Sequence, residues 1–173
     1  MNKKIIECEL SEKGIDKVIE QLNQYKLELD KKCLELQNRV ADRLAELANS
    51  GFSVAIAEET ILGGSTTASV GVHTKPGDTT VVYTTGADAI WCEFGTGVYY
   101  NGTAGSSPHP KGTELGFTIG SYGQGKGRRK AWCFYQNGEL VWTHGVPASM
   151  PMYKAFENTL YEIADIAREV FGT

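Results

Sequence analysis

The stretch Gly120-Ser121-Tyr122-Gly123-Gln124-Gly125-Lys126-Gly127 has the GxxxxGK spacing with which backbone amides and a lysine cradle phosphate. The next requirement is not met. Gly127 stands where a Ser or Thr must ligate Mg²⁺, and Arg128 to Tyr135 reads as a strand rather than a helix whose N-terminus faces the phosphate. The neighbouring cations Lys126, Arg128, Arg129 and Lys130 are either solvated or a contact for an acidic partner face or passing DNA. His73, His109 and His144 each lack a second ligand two to four residues away, so the spacing supports no metal site. Cys92 and Ser65 are the conceivable nucleophiles, but no GxSxG elbow is present. Glu93, between Trp91 and Phe94, is a candidate for a carboxylate with a raised pKa. The plainer reading makes it a buried polar anchor bonded to the backbone of the Gly95 to Gly97 turn. Cys8, Cys33, Cys92 and Cys133 are far apart and sit among apolar residues, which predicts four free, buried thiols. No catalytic set, cofactor site or metal site emerges.

The 173 residues are 41% hydrophobic and 22% charged, which fits a single domain, 1–173. A net charge of -4 argues against wholesale capture of nucleic acid. No run approaches the roughly eighteen apolar residues that span a bilayer, and charge interrupts Met1 to Glu7 too early for a signal peptide. A soluble, cytoplasmic protein is expected.

The elements that must hold these residues follow from periodicity. Ile6, Cys8 and Leu10 alternate with Ile5, Glu7 and Glu9, predicting a first strand. Ser11 offers a helix N-cap. From Ile15 to Ala48, Leu22, Leu29 and Leu36 recur by seven, as do Cys33, Val40 and Leu47, giving an apolar stripe on one or two helices with a break near Asn23. A coiled-coil seam would show the same stripe, but at this length a helix face lying on a sheet is the expectation. Asn49-Ser50-Gly51 reads as a helix stop. Phe52 to Glu58, Thr66 to His73 and Thr79 to Thr85 then read as an antiparallel meander, and Asp88 as the cap of one helical turn through Ile90, Trp91 and Phe94. Asn137-Gly138 between Lys130 to Tyr135 and Glu139 to Thr143 marks a hairpin. Pro151 opens a closing helix with Met152, Phe156, Leu160, Ile163, Ala167 and Val170 on one face. There is no internal repeat. The order predicts an α+β domain: an antiparallel sheet of five to six strands, packed by a long N-terminal helical region and a C-terminal helix.

Between the strands lies residues 98–129, a long glycine-rich loop inserted after the anchor Ala89-Ile90-Trp91-Cys92-Glu93-Phe94-Gly95-Thr96-Gly97. Trp91 and Phe94 are expected to fill the space between the sheet and the C-terminal helix and so fix the root of that loop. Phe117, Ile119 and Tyr122 within it would be poorly sheltered in a lone subunit.

Glu93-Phe94-Gly95-Thr96-Gly97, a glycine-rich stretch holding Pro108-His109-Pro110, the Trp132 strand, and His144-Gly145-Val146-Pro147-Ala148 running through Pro151-Met152-Tyr153 into a closing helix resemble the tailed-bacteriophage tail-completion or neck proteins, also described as minor tail components. The two main motifs stand about fifty residues apart, and the resemblance spans the chain in order of elements. At the first helix-to-strand junction the sequence departs from it, with Asn49-Ser50-Gly51-Phe52 where a D-T-G type turn is expected. The resemblance implies a structural protein of a siphovirus-type phage or prophage, made in the bacterial cytoplasm and placed in the virion where tail meets head. It implies a homo-oligomeric ring, hexameric to match the tail tube, with tail-tube and head-connector partners and a passing contact with phage DNA. No membrane is involved. The competing expectation is a small enzyme or regulator using the glycine loop as a lid over Glu93 and His144.

Overall fold

The computed structural model describes residues 6–7, 9–59, 68–74, 79–86, 89–95, 109–112, 114–115, 132–143 and 148–172. In chain order the elements are α1 (Glu12–Glu59), β1 (Ser69–Thr74), β2 (Thr80–Thr85), α2 (Ala89–Phe94), β3 (Trp132–Gln136), β4 (Glu139–Thr143) and α3 (Pro151–Phe171). Among the described residues no helix is long and apolar enough to cross a membrane.

α1 begins as the sequence predicts: the Ser11 hydroxyl accepts the Gly14 N–H at 3.1 Å, satisfying one of the helix's unpaired donors. It then runs for 48 residues, about 72 Å at 1.5 Å per residue. The break expected near Asn23 does not occur, because an interior Asn costs a helix only about 0.7 kcal/mol against Ala and strong helix formers flank it. The stop expected at Asn49-Ser50-Gly51 is also overturned. Asn49 instead uses its side-chain oxygen to accept the Val70 N–H of β1 at 3.0 Å. Gly51 makes room for a crossing helix: a Cβ there would stand 2.9 Å from Cβ of Pro151. Phe52 to Glu58, expected as a strand, continues the helix, because Ala41, Ala45, Ala48, Phe52 and Ala55 recur by four and three and bury one face. Val54, which the alternating pattern would have buried, is 55% exposed.

β1 and β2 pair antiparallel with Ser69 opposite Thr85 and Thr74 opposite Thr80, and this hairpin lies against α1. β3 and β4 pair antiparallel through Asn137 and Gly138, both at positive φ (52° and 85°), the geometry a two-residue hairpin turn demands. The expected five- to six-stranded sheet in an α+β domain is therefore wrong. The described residues are mostly helical, and their strands form two separate two-stranded sheets. One reason is that Phe52 to Glu58, expected as the first strand of the meander, is the end of α1 and so adds no strand beside β1–β2. The first-strand expectation fails as well: residues 6–7 and 9–10 are irregular, and Leu10, assigned to its apolar face, is fully exposed.

The buried cluster joins Phe52 and Ala55 of α1 to Ala89 and Cys92 of α2, edged by Ile56, Ala68, Val70 and Met152. It sits at the C-terminal end of α1, where α2 and the start of α3 converge.

Candidate functional site

Glu93 ends the buried face of α2 and is 8% exposed. Its carboxylate receives the first turn of α3: Oε2 accepts the Met152 N–H at 2.8 Å and Oε1 the Tyr153 N–H at 2.9 Å. α3 has no local cap, since Met150 occupies the N-cap position in the left-handed region (φ 55°, ψ 48°) and Pro151 follows. Glu93 supplies from a distance of 59 residues what a neighbouring Asp or Ser usually supplies. The negative charge also faces the positive end of the helix dipole. Next to it, the Cys92 carbonyl accepts the N–H groups of Ser149 at 2.9 Å and Met150 at 3.3 Å, fixing the turn before α3.

A third segment closes on the same carboxylate. Nε2 of His109, itself 8% exposed, lies 3.0 Å from Oε1 of Glu93, and Nδ1 lies 3.0 Å from the Lys111 backbone nitrogen. The Lys111 N–H can only donate, so Nδ1 is the acceptor and the ring proton sits on Nε2, which donates to Glu93. The imidazole stacks at a tilt against Phe94 (4.4 Å between centroids) and meets the Tyr153 ring edge-on at 5.3 Å.

A buried carboxylate beside a histidine invites comparison with an acid–base pair, but the hydrogen bonds assign other work. Both imidazole nitrogens are engaged inside the protein, and three donors converge on the two Glu93 oxygens. No ring nitrogen is left to take a proton from a substrate. The arrangement clamps three segments that are distant in sequence: the end of α2, the turn at His109 and the start of α3. Among the described residues no group of three or more His, Cys, Asp or Glu side chains could hold a metal ion.

The structure thus joins parts of the motifs read from the sequence. Glu93, Phe94, Gly95 and Pro151 meet around this clamp, with Gly95 at φ 76° accepting the turn that closes α2. Glu93 is the buried polar anchor expected, but among the described residues its oxygens bond α3 and His109, while the Gly95 N–H of the expected turn goes to the Trp91 carbonyl at 2.7 Å. The packing expectation for Trp91 and Phe94 also changes, since both are half-buried and the fully buried positions belong to Ala89 and Cys92. Cys92 is buried as expected, but Cys33 and Cys133 are exposed free thiols, which corrects the expectation of buried thiols throughout. Thr96, Gly97, His144, Gly145, Pro147, Ser65, Cys8 and the cations Lys126, Arg128, Arg129 and Lys130 lie outside the described residues, as does most of the 98–129 loop. His109 is the partner of Glu93 that local sequence spacing does not indicate. Its signal was indirect: a helix beginning Met150-Pro151 without a capping side chain needs a remote acceptor, and Glu93 is the carboxylate on the buried anchor.

Beyond the clamp, α3 is held antiparallel along α1. The Arg43 guanidinium grips Glu162 with two bonds, Nε to Oε2 at 2.7 Å and a second nitrogen to Oε1 at 3.0 Å, and also takes Glu46 at 2.8 Å. Arg39 bonds Glu169 at 3.1 Å. The hydrogen bonds from Arg43 hold the Glu162 carboxyl below its usual value, and those to Glu162 and Glu46 raise Arg43. The Glu157 carboxylate accepts the Tyr153 hydroxyl at 2.8 Å and, with burial adding to it, raises that phenol above the usual tyrosine value.

Comparisons of this chain with protein-family models, with curated proteins and with solved structures find no match.

Proposed function

We propose that this chain is a structural protein of a tailed phage or prophage that acts in tail completion or head-tail joining by forming a homo-oligomeric ring where tail meets head. The observation that carries the reading is the convergence on Glu93. Three stretches that support the resemblance to tail-completion and neck proteins, Glu93-Phe94-Gly95, His109 and Pro151-Met152-Tyr153, are tied together by hydrogen bonds of 2.8 to 3.0 Å. A motif used this way is architectural: it holds the segment that leads into the glycine-rich loop, and the His109 turn within it, on a rigid junction, so that the loop is presented to neighbours or to the lumen of a ring. The enzyme or regulator alternative, a lid over Glu93 and His144, draws less support, because the Glu93 carboxylate it would use is already bonded to His109 and to the backbone of α3.

The test is made on particles. With the gene deleted from the phage or prophage, electron microscopy is expected to show filled heads and tails that fail to join or complete, and a supplied copy restores infectivity. Mass spectrometry of purified virions should find the chain at a copy number consistent with one ring. Normal infectious particles lacking the chain would overturn the reading.

A further inference from the structure

Two apolar stripes stand uncovered among the described residues, on different helices. The first continues a seam already in use. α3 runs antiparallel along α1, from Pro151 beside Gly51 through Glu162 on Arg43 to Glu169 on Arg39. Over that length the α1 seam positions Leu36, Val40 and Leu47 are half-buried. Towards the N-terminus the same four-and-three spacing goes on through Ile15, Ile19, Leu22 and Leu29, which are 48, 51, 50 and 40% exposed. This arm of the seam is about 21 Å long at 1.5 Å per residue.

The second stripe is on α3. The sequence predicts that Phe156, Leu160 and Ile163 face the core, but they are 50, 50 and 40% exposed, and the buried positions are Pro151, Ala155, Thr159 and Val170. Phe156, Leu160 and Ile163 are spaced i, i+4, i+7 and so form a helix-directed ridge one step round from the line that meets α1.

We propose that these stripes are the two halves of one contact between copies of this chain, with the α1 arm of one subunit lying along the Phe156, Leu160 and Ile163 ridge of the next. A seam with heptad spacing whose other half is already filled by a helix is shaped for a helix. The α3 ridge offers that spacing over about 10.5 Å at 1.5 Å per residue, enough to cover one half of the arm. Charge agrees: Lys26 interrupts the arm's seam between Leu22 and Leu29, and Glu157 borders the α3 ridge. An in-register parallel pair of arms would instead set Lys26 against Lys26. Because the two surfaces differ, the contact is head to tail, which generates a ring when the rotation closes. The ring closure rests on the function proposed above; the contact itself does not.

The experiment is sedimentation velocity on the full chain with Leu22→Asp and Leu160→Asp, both positions half exposed, so that circular dichroism and urea midpoints should match the parent. The parent is expected to associate, each variant alone to stay monomeric at the same concentration, and a 1:1 mixture to form heterodimers, since one intact arm then meets one intact ridge. Association of Leu160→Asp alone with loss only in Leu22→Asp would overturn the proposal in favour of arm-to-arm pairing. A mixture that stays monomeric, or a parent that is monomeric up to its solubility limit, would also overturn it. The virion assay separates the two claims: a monomeric chain still found in virions sinks the contact alone, and an associating chain absent from them sinks the phage reading alone.

Discussion

Replacing Glu93 by Gln keeps the shape of the clamp and removes its logic. The carboxylate takes the N–H groups of Met152 and Tyr153 and the Nε2–H of His109, so each oxygen faces donors only. An amide must point its NH₂ at one side. Aimed at Met152 it opposes a backbone N–H; aimed the other way it opposes Tyr153 and the imidazole. His109 cannot resolve this by moving its proton to Nδ1, because that nitrogen accepts the Lys111 N–H. At least one buried donor is left unsatisfied, at about 1 to 3 kcal/mol. Losing the charge at the α3 N-terminus adds about 0.5 to 1 kcal/mol. Glu93→Gln should therefore destabilise the fold by about 1.5 to 4 kcal/mol, a large part of the roughly 5 to 15 kcal/mol typical of a domain. Urea denaturation followed by circular dichroism reads this as a lowered midpoint. A double-mutant cycle with His109→Ala should show coupling, since the two side chains share one network. A Glu93→Gln midpoint within about 0.5 kcal/mol of the parent would refute the clamp and reduce Glu93 to a spectator.

Gly51→Ala gains about 1 kcal/mol of helix propensity, yet its Cβ would stand 2.9 Å from Cβ and 3.3 Å from Cα of Pro151, atoms of a rigid ring at a helix start. The overpacking, about 1 to 3 kcal/mol, should win, and a raised melting temperature would show that it does not. Phe52, 1% exposed at the centre of the cluster, should cost about 3 to 5 kcal/mol when truncated to Ala, read from the urea midpoint. Glu162 is held below its unfolded carboxyl value, so its contribution is complete above about pH 4.3 and is lost as pH falls through the folded value; Glu162→Gln should flatten that acid limb of the stability curve. Tyr153 is shifted the opposite way, so its contribution is complete below about pH 10 and is lost as pH rises further; Tyr153→Phe should remove that alkaline dependence. Replacing Lys126, Arg128, Arg129 and Lys130 together by Ser should move stability by no more than about 0.5 kcal/mol while abolishing weak, sequence-independent DNA binding whose log-log salt slope is about -0.9 per phosphate; unchanged DNA binding would leave the four as solvated charges.

Local signals survived and long-range ones did not. Ser11 as a cap, Pro151 as a first-turn residue, the β1–β2 pairing and the Asn137-Gly138 hairpin are each decided within a few residues, and each stands in the structure. The sheet was lost because Asn49-Ser50-Gly51 carries ordinary stop chemistry whose use here is tertiary: Asn49 ties down Val70, and Gly51 admits Pro151. With the stop accepted, Phe52 to Glu58 alternates well enough to pass for a strand. Alanine is the residue that should have decided it. Ala41, Ala45, Ala48 and Ala55 are good helix formers at helix spacing, and their small side chains let α1 approach its neighbours closely. The α3 face differs from its hydrophobic pattern for the same reason: the large apolar residues Phe156, Leu160 and Ile163 set the pattern, while the small Ala155 and Thr159 are the ones buried.

The site was half legible, and the missing half shows where such reasoning can be extended. Glu93 stood out because a single carboxylate among Trp91, Cys92 and Phe94 cannot be buried without partners. The adjacent glycine turn is the nearest source of donors, but its Gly95 N–H goes to the Trp91 carbonyl. A buried carboxylate selects donors that lack acceptors elsewhere in the chain. A helix beginning Met150-Pro151 has its proline nitrogen without a proton, but its next two N–H groups unprovided for, and His109 between prolines brings one further donor. Counting unpaired donors against buried acceptors leads from Glu93 to Met152, Tyr153 and His109 without any homologous protein, and it makes the distance of 59 residues between carboxylate and helix irrelevant.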